Sequence, residues 1–207
     1  MMKQAVSTVV MMGALVGLMS GAAQAAEAEQ APLWGFVSEV RGGVLLHDVW
    51  RPEVHKEKEK DSFDINFEML STPVTVFDAD TTLEKVLLQP RVHLGGSVNL
   101  DGYTHHVYSG FTWGYQFESG PYVDGSFGMT LHNGQTEYTV VGGGYVLDGR
   151  PQLGSSLLFR EAFEVGYRLE SGHGMGAMIE HMSHAGLFSD QNDGMTFLGL
   201  RYSYRFD

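Results

Sequence analysis

Leu157-Leu158-Phe159-Arg160-Glu161-Ala162-Phe163-Glu164-Val165-Gly166-Tyr167-Arg168-Leu169 is the stretch whose pattern decides the fold. Leu157, Phe159, Phe163, Val165, Tyr167 and Leu169 share one parity, and Arg160, Glu164 and Arg168 share the other. Successive side chains of a strand point to opposite faces, so this is a strand with one greasy face and one charged face.

The same alternation recurs on both sides of it. Upstream, strands are expected near Trp34–His47, Ser62–Leu70, Arg91–Leu100, Thr104–Gln116 and up to His132; downstream they run near Gly174–His184 and Met195–Phe206. With Ser156–Leu169 that makes eight. Asp101-Gly102, Glu118-Ser119-Gly120 and Glu170-Ser171-Gly172 supply tight turns, as antiparallel neighbours require. Longer connections fall near Val49–Asp61 and in the Gly-rich stretch Asn133–Gly154. The segment Thr72–Pro90 is longer than a usual hairpin turn, and alternation assigns it no role.

Eight antiparallel strands can close as a soluble barrel with an apolar inside or as a membrane barrel with an apolar outside. The charged faces decide. Glu39, Arg41, Asp64, Glu68, Arg91, Arg160, Glu164, Arg168, Glu180, Arg201 and Arg205 sit mid-strand with both signs represented. They can pair across the narrow interior of an eight-stranded barrel. The apolar faces carry aromatics toward one rim, namely Trp34, Trp113, Tyr115, Tyr122, Tyr167 and Tyr202 to Phe206, as an interfacial girdle requires. The expected fold is an all-β, eight-stranded antiparallel up-and-down transmembrane β-barrel. A soluble lipocalin-like lipid carrier would need the alternation inverted.

Composition narrows the function. The 207 residues carry no cysteine, which excludes a disulfide framework, a zinc–thiolate site and a cysteine nucleophile. A formal charge of −12 argues against nucleic acid as a partner. Lys3, the apolar run Ala5–Gly21 and Ala23-Gln24-Ala25 form the n-region, h-region and cleavage site of a signal peptide over residues 1–25. Residues 26–207 are then the exported barrel.

The segment near Gly174–His184 breaks its own pattern. Met175, Ala177 and Ile179 are followed on the same face by His181 and Ser183. About ten residues at ~3.3 Å each, tilted by ~40°, climb the ~25 Å apolar height of such a barrel. His181 and Ser183 therefore belong at the outer interface, on the lipid-facing wall. Two readings are open: ordinary interfacial polar residues, or an imidazole base beside a hydroxyl nucleophile aimed at an ester. Gly186, just past the strand end, could offer a backbone N–H to a developing oxyanion. Glu161 interrupts the apolar face of its strand. If Leu169 pairs with His173 across the short turn, Glu161 lies directly opposite His181. It is then either the acid of a Ser183–His181–Glu161 triad or an interfacial carboxylate.

The string His181-Met182-Ser183-His184-Ala185-Gly186, followed by Asn192-Asp193-Gly194 and a final strand, resembles the lipid A 3-O-deacylase (PagL) family of outer-membrane barrels. The family pattern is His-x-Ser-Asn-x-Gly, a short loop, then Asn-x-Gly. Ser38–Val44 and Phe159-Arg160-Glu161 also look like members described as acyloxyacyl hydrolases. The resemblance implies Ser183 as nucleophile, His181 as general base, and the 3-O-linked acyl chain of lipid A as substrate, with no cofactor and no metal. It implies a bacterial outer-membrane location, with lipid A and outer-membrane lipids as partners and a homodimer left open. Two positions depart from the pattern: His184 replaces the Asn whose amide helps hold the oxyanion, and Thr196 replaces the triad acid. Thr196 and Asn192 are thus secondary site candidates, and His184 a substitute oxyanion donor. The departures keep alive a catalytically inactive barrel of structural or adhesive function.

Other polar clusters read as less informative. His105 and His106 point to opposite faces. His47-Asp48 and His55 flank a Lys/Glu-rich loop, and Asp190, Asn192 and Asp193 lack the spacing of a calcium loop.

Overall fold

A computed structural model describes residues 35–50, 59, 61–137, 139–141, 144–146 and 150–206. The signal peptide expected at 1–25, Trp34 and His55 lie outside the described residues. The strands are β1 (Val37–Leu46), β2 (Phe63–Pro73), β3 (Arg91–Asn99), β4 (His106–Gln116), β5 (Pro121–His132), β6 (Thr139–Val141), β7 (Gly144–Val146), β8 (Leu157–Arg168), β9 (His173–Ser183) and β10 (Met195–Arg205). Eight of them close into an antiparallel barrel in the order β1-β10-β9-β8-β5-β4-β3-β2. β6 and β7 form a separate two-stranded sheet within the Gly-rich connection.

Alternation builds the wall. Along β2, Phe63, Ile65 and Phe67 are exposed while Asp64, Asn66 and Glu68 are buried. An apolar belt of this kind on every strand faces outward, far more exposed apolar surface than a water-soluble monomer carries. The lumen holds the charges in ion-paired layers. Glu39 receives Arg41 at 2.7 Å, Arg91 at 2.6 Å, Arg168 at 2.6 Å and Arg205 at 3.0 Å. A second layer joins Arg201 to Glu68 at 3.1 Å, Arg160 to Glu180 at 2.6 Å, and His106 to Glu180 at 2.8 Å. The Arg160 guanidinium also covers the Tyr108 ring at 3.6 Å. Buried charge is tolerated here because each group is paired.

Two expectations need correcting. Tyr122, assigned above to the outer aromatic girdle, points into the lumen, where its hydroxyl donates to Glu164 at 2.5 Å. Its neighbour Val123 takes the outward parity instead. Gly176 makes room for it, since a Cβ there would lie 2.5 Å from the Tyr122 hydroxyl. Nor is the interior polar throughout. Leu45, Leu158, Met178, Met182 and Phe197 fill its outer end, closed over by Leu153 from the long connection. Above this plug, His47 pairs with Asp64 at 2.8 Å and Glu59 at 3.3 Å.

The segment between β2 and β3 contains a short helix, α1 (Thr82–Leu88). Thr81 caps it: the Glu84 N–H donates to the Thr81 hydroxyl, and the Thr81 N–H to the Glu84 carboxylate.

Candidate active site

His181 and Ser183 occupy successive outward positions near the outer end of β9, each half-buried. Two neighbouring strands frame them. On β8, Glu161 pairs with His181 and Phe159 with Ser183; this is the register expected from pairing Leu169 with His173, whose N–H···O bond is 2.8 Å. On β10, Thr196 pairs with His181. Cross-strand partners on one face lie within side-chain reach, so Glu161, His181 and Thr196 form one row across three strands.

The imidazole Nδ1 of His181 lies 2.9 Å from the Thr196 hydroxyl oxygen. With Nδ1–H as the donor, Nε2 keeps its lone pair, the tautomer a general base needs. Thr196 is itself held from behind. Its carbonyl accepts from the Val49 N–H at 2.7 Å, and its N–H donates to the Asp48 carboxylate at 3.5 Å. Among the described residues no hydrogen bond joins Ser183 to His181. Such contacts are often long without substrate and tighten in the complex.

The loop after β9 starts in a turn with Ala185 and Gly186 at positive φ, 54° and 75°, and the Leu187 N–H donates to the His184 carbonyl at 2.9 Å. His184 is fully buried under it. Its Nε2 donates to the Gln191 carbonyl at 2.7 Å, and its Nδ1 accepts from the Phe188 N–H at 3.4 Å. Both ring nitrogens are therefore engaged in pinning the loop. Asn192 likewise works on the backbone, its side-chain oxygen accepting from the His184 N–H at 3.0 Å. The Asp193 carboxylate accepts from the Gln152 N–H at 2.8 Å, tying the loop to the long connection.

Three residues at the site carried no role in the pattern. Gly194 has φ +66°, and a Cβ there would lie 2.9 Å from His181 Cε1 and 3.2 Å from Nε2. Its signal was the glycine of Asn192-Asp193-Gly194. Phe159 stacks on Phe127 at 6.0 Å and on Phe188 at 6.2 Å. The strand register could have placed Phe159 beside Ser183. Nothing local to the sequence marks Phe188, which reaches the site from the loop.

The family model for lipid A 3-O-deacylase (PagL) matches residues 85–205. The crystal structure of the outer-membrane enzyme PagL superposes with a TM-score of 0.56 at 18% identity, covering 82% of this chain and 100% of that one. The outer-membrane protein Ail of Yersinia pestis aligns with a TM-score of 0.41 at 12% identity, over 83% of this chain and 99% of that one. A search of curated proteins finds no match.

Proposed function

The chain belongs to the lipid A 3-O-deacylase (PagL) family of outer-membrane barrels, and on that premise we propose that it is a serine esterase removing the 3-O-linked acyl chain of lipid A. The observation that carries the reading is the row Glu161–His181–Thr196 on the lipid-facing wall, with Ser183 next along β9. In the proposed reaction, His181 Nε2 takes the Ser183 proton as the hydroxyl oxygen attacks the ester carbonyl. The imidazolium then returns that proton to the sugar 3-oxygen as the carbon–oxygen bond breaks. Water, deprotonated by the same imidazole, releases the fatty acid from Ser183.

The supporting roles divide by chemistry. Thr196 orients the ring and holds its tautomer, but a hydroxyl carries no charge to stabilise imidazolium. We assign that charge to Glu161, across the sheet from His181. Replacing the triad carboxylate of a serine hydrolase by its amide lowers kcat by about 10⁴, chiefly because the ring then takes the wrong tautomer; here Thr196 holds the tautomer, and Glu161 adds the charge that favours imidazolium. With the His184 ring engaged in the loop, the oxyanion falls to backbone N–H groups of the turn at Gly186. The Phe159, Phe127 and Phe188 rings line the wall where an acyl chain would lie.

Lipid A from cells producing the wild type, Ser183→Ala or His181→Ala tests the reading by mass spectrometry. Loss of one hydroxyacyl chain only in the wild type is expected. Unchanged lipid A in all three would favour a catalytically inactive barrel, to which the departures at His184 and Thr196 lend weight. Membrane fractionation tests the remaining expectations: an exported, processed chain in the outer membrane, with any homodimer visible by cross-linking.

A further inference from the structure

The excursion between β2 and β3 is the least barrel-like part of the molecule. Beyond Pro73 the two strands continue as a ribbon, with the Val74 N–H donating to the Pro90 carbonyl at 2.8 Å and the Val76 N–H to Leu88 at 3.2 Å. The ribbon ends in α1. It leaves the barrel at the rim of the Glu118–Gly120 and Glu170–Gly172 turns, opposite the rim that carries His181 and Ser183. Connections on the periplasmic side of such barrels are short, so an elaborated one calls for a reason.

Its surface supplies that reason. Phe77 is 65% exposed, Val76 53%, Leu83 48%, Leu87 45% and Val74 40%, while Val86 is buried. Five large apolar side chains in water on so short a segment form an unfavourable patch. The patch is continuous with the lipid-facing wall. Trp113, outward on β4 and packed on Phe111 at 6.2 Å, donates its indole N–H to the Leu87 carbonyl at 3.1 Å. The last turn of α1 therefore rests against the outside of the barrel at its aromatic rim, where indole N–H groups commonly meet the headgroup region. The acidic groups Asp78, Asp80 and Glu84 lie around the helix start, where the Glu84 carboxylate accepts from the Asp80 and Thr81 N–H groups.

We propose that the β2–β3 excursion is an interfacial anchor, with Phe77, Leu83 and Leu87 inserted into the periplasmic phospholipid leaflet beside β4. It clamps the barrel at a set depth from below, while the row around His181 lies at the other surface. The anchoring is independent of whether the site is catalytic.

The chain has no cysteine, so single labels are available directly. Phe77→Cys and Leu83→Cys, each labelled with an environment-sensitive fluorophore, are folded into phosphatidylethanolamine/phosphatidylglycerol vesicles, with Glu118→Cys in a short turn as the aqueous reference. Heat-modifiable gel mobility confirms closure of each barrel. Nitroxide lipids labelled near the headgroup should quench the labels at 77 and 83 severalfold more than the reference, and aqueous iodide severalfold less. Iodide quenching equal to that at position 118 would overturn the anchor. Shielding from both quenchers would also overturn it, because it would place the excursion against protein, either another copy or a partner.

Discussion

The Thr196 hydroxyl oxygen lies 2.9 Å from His181 Nδ1, on the strand opposite the one that carries Glu161. The imidazole is thus flanked by a neutral hydrogen-bond partner on one side and a carboxylate-bearing neighbour on the other. Under the proposed mechanism, orientation and charge, which a single acid supplies in the usual triad, are divided between these two residues.

That division predicts an order of damage. Thr196→Val loses one neutral hydrogen bond, worth about 1 kcal/mol, so lipid A deacylation should fall roughly fivefold. Glu161→Gln removes the charge opposite the imidazolium and should cost about a hundredfold or more. The reverse order in a mass-spectrometric time course would refute Glu161 as the acid. Thr196→Glu, by moving the acid to the family's position, should make Glu161→Gln tolerable.

Gly194 predicts a steric effect. Alanine there would put a methyl 2.9 Å from His181 Cε1, on a backbone at φ +66°. The strain costs about 1–2 kcal/mol, while the displaced ring should lose most of its activity. Retained heat-modifiable mobility with deacylation lost is the expected pair of results.

Glu39 gathers four arginines in the lumen. Glu39→Gln leaves buried guanidinium charge uncompensated and should destabilise the barrel by about 3–5 kcal/mol. The temperature at which gel mobility shifts in detergent should drop clearly. Exchange of an outward residue such as Val98→Ala should change it little.

Just beyond the outer end of β1, burial works against the charged form of His47, but hydrogen bonds and the charges of Asp64 and Glu59 outweigh it and raise its pKa to about 9. The protonated ring donates to both carboxylates. Because the unfolded chain binds that proton only below about 6.5, the stabilisation is complete below that pH. It fades as pH rises through about 9 and is on the order of 3 kcal/mol. Thermal unfolding in detergent should weaken between pH 7 and 10, and His47→Gln should flatten that profile.

Much of this was written in period-2 alternation. Arg160, Glu164 and Arg168 against Phe163, Val165 and Tyr167 distinguish the lumen from the lipid face, and the tight turn at Glu170-Ser171-Gly172 sets the register that puts Glu161 opposite His181. Tyr122 was misread because its place beside a turn suggested a girdle, although the parity of Val123 already assigned it inward. Leu45, Met178 and Met182 obscure the pattern in another way: at the outer end both faces are apolar, so alternation no longer separates them. The contacts of Leu153, Asp48 and Phe188 arise only on closure, which brings distant loops over the barrel mouth, and no local spacing encodes them. Thr72–Pro90 was opaque for a related reason, as its apolar residues make sense only once α1 is seen against Trp113.

If Ser183 is the nucleophile at the membrane surface, deacylation depends on its hydroxyl and on nothing the alanine variant retains. The most direct measurement is mass spectrometry of lipid A after incubation with the purified barrel in mixed micelles, wild type beside Ser183→Ala. Loss of a single 3-linked hydroxyacyl chain with the wild type and intact lipid A with the variant is the expected result. Equal deacylation by both proteins, or none by either, would contradict it.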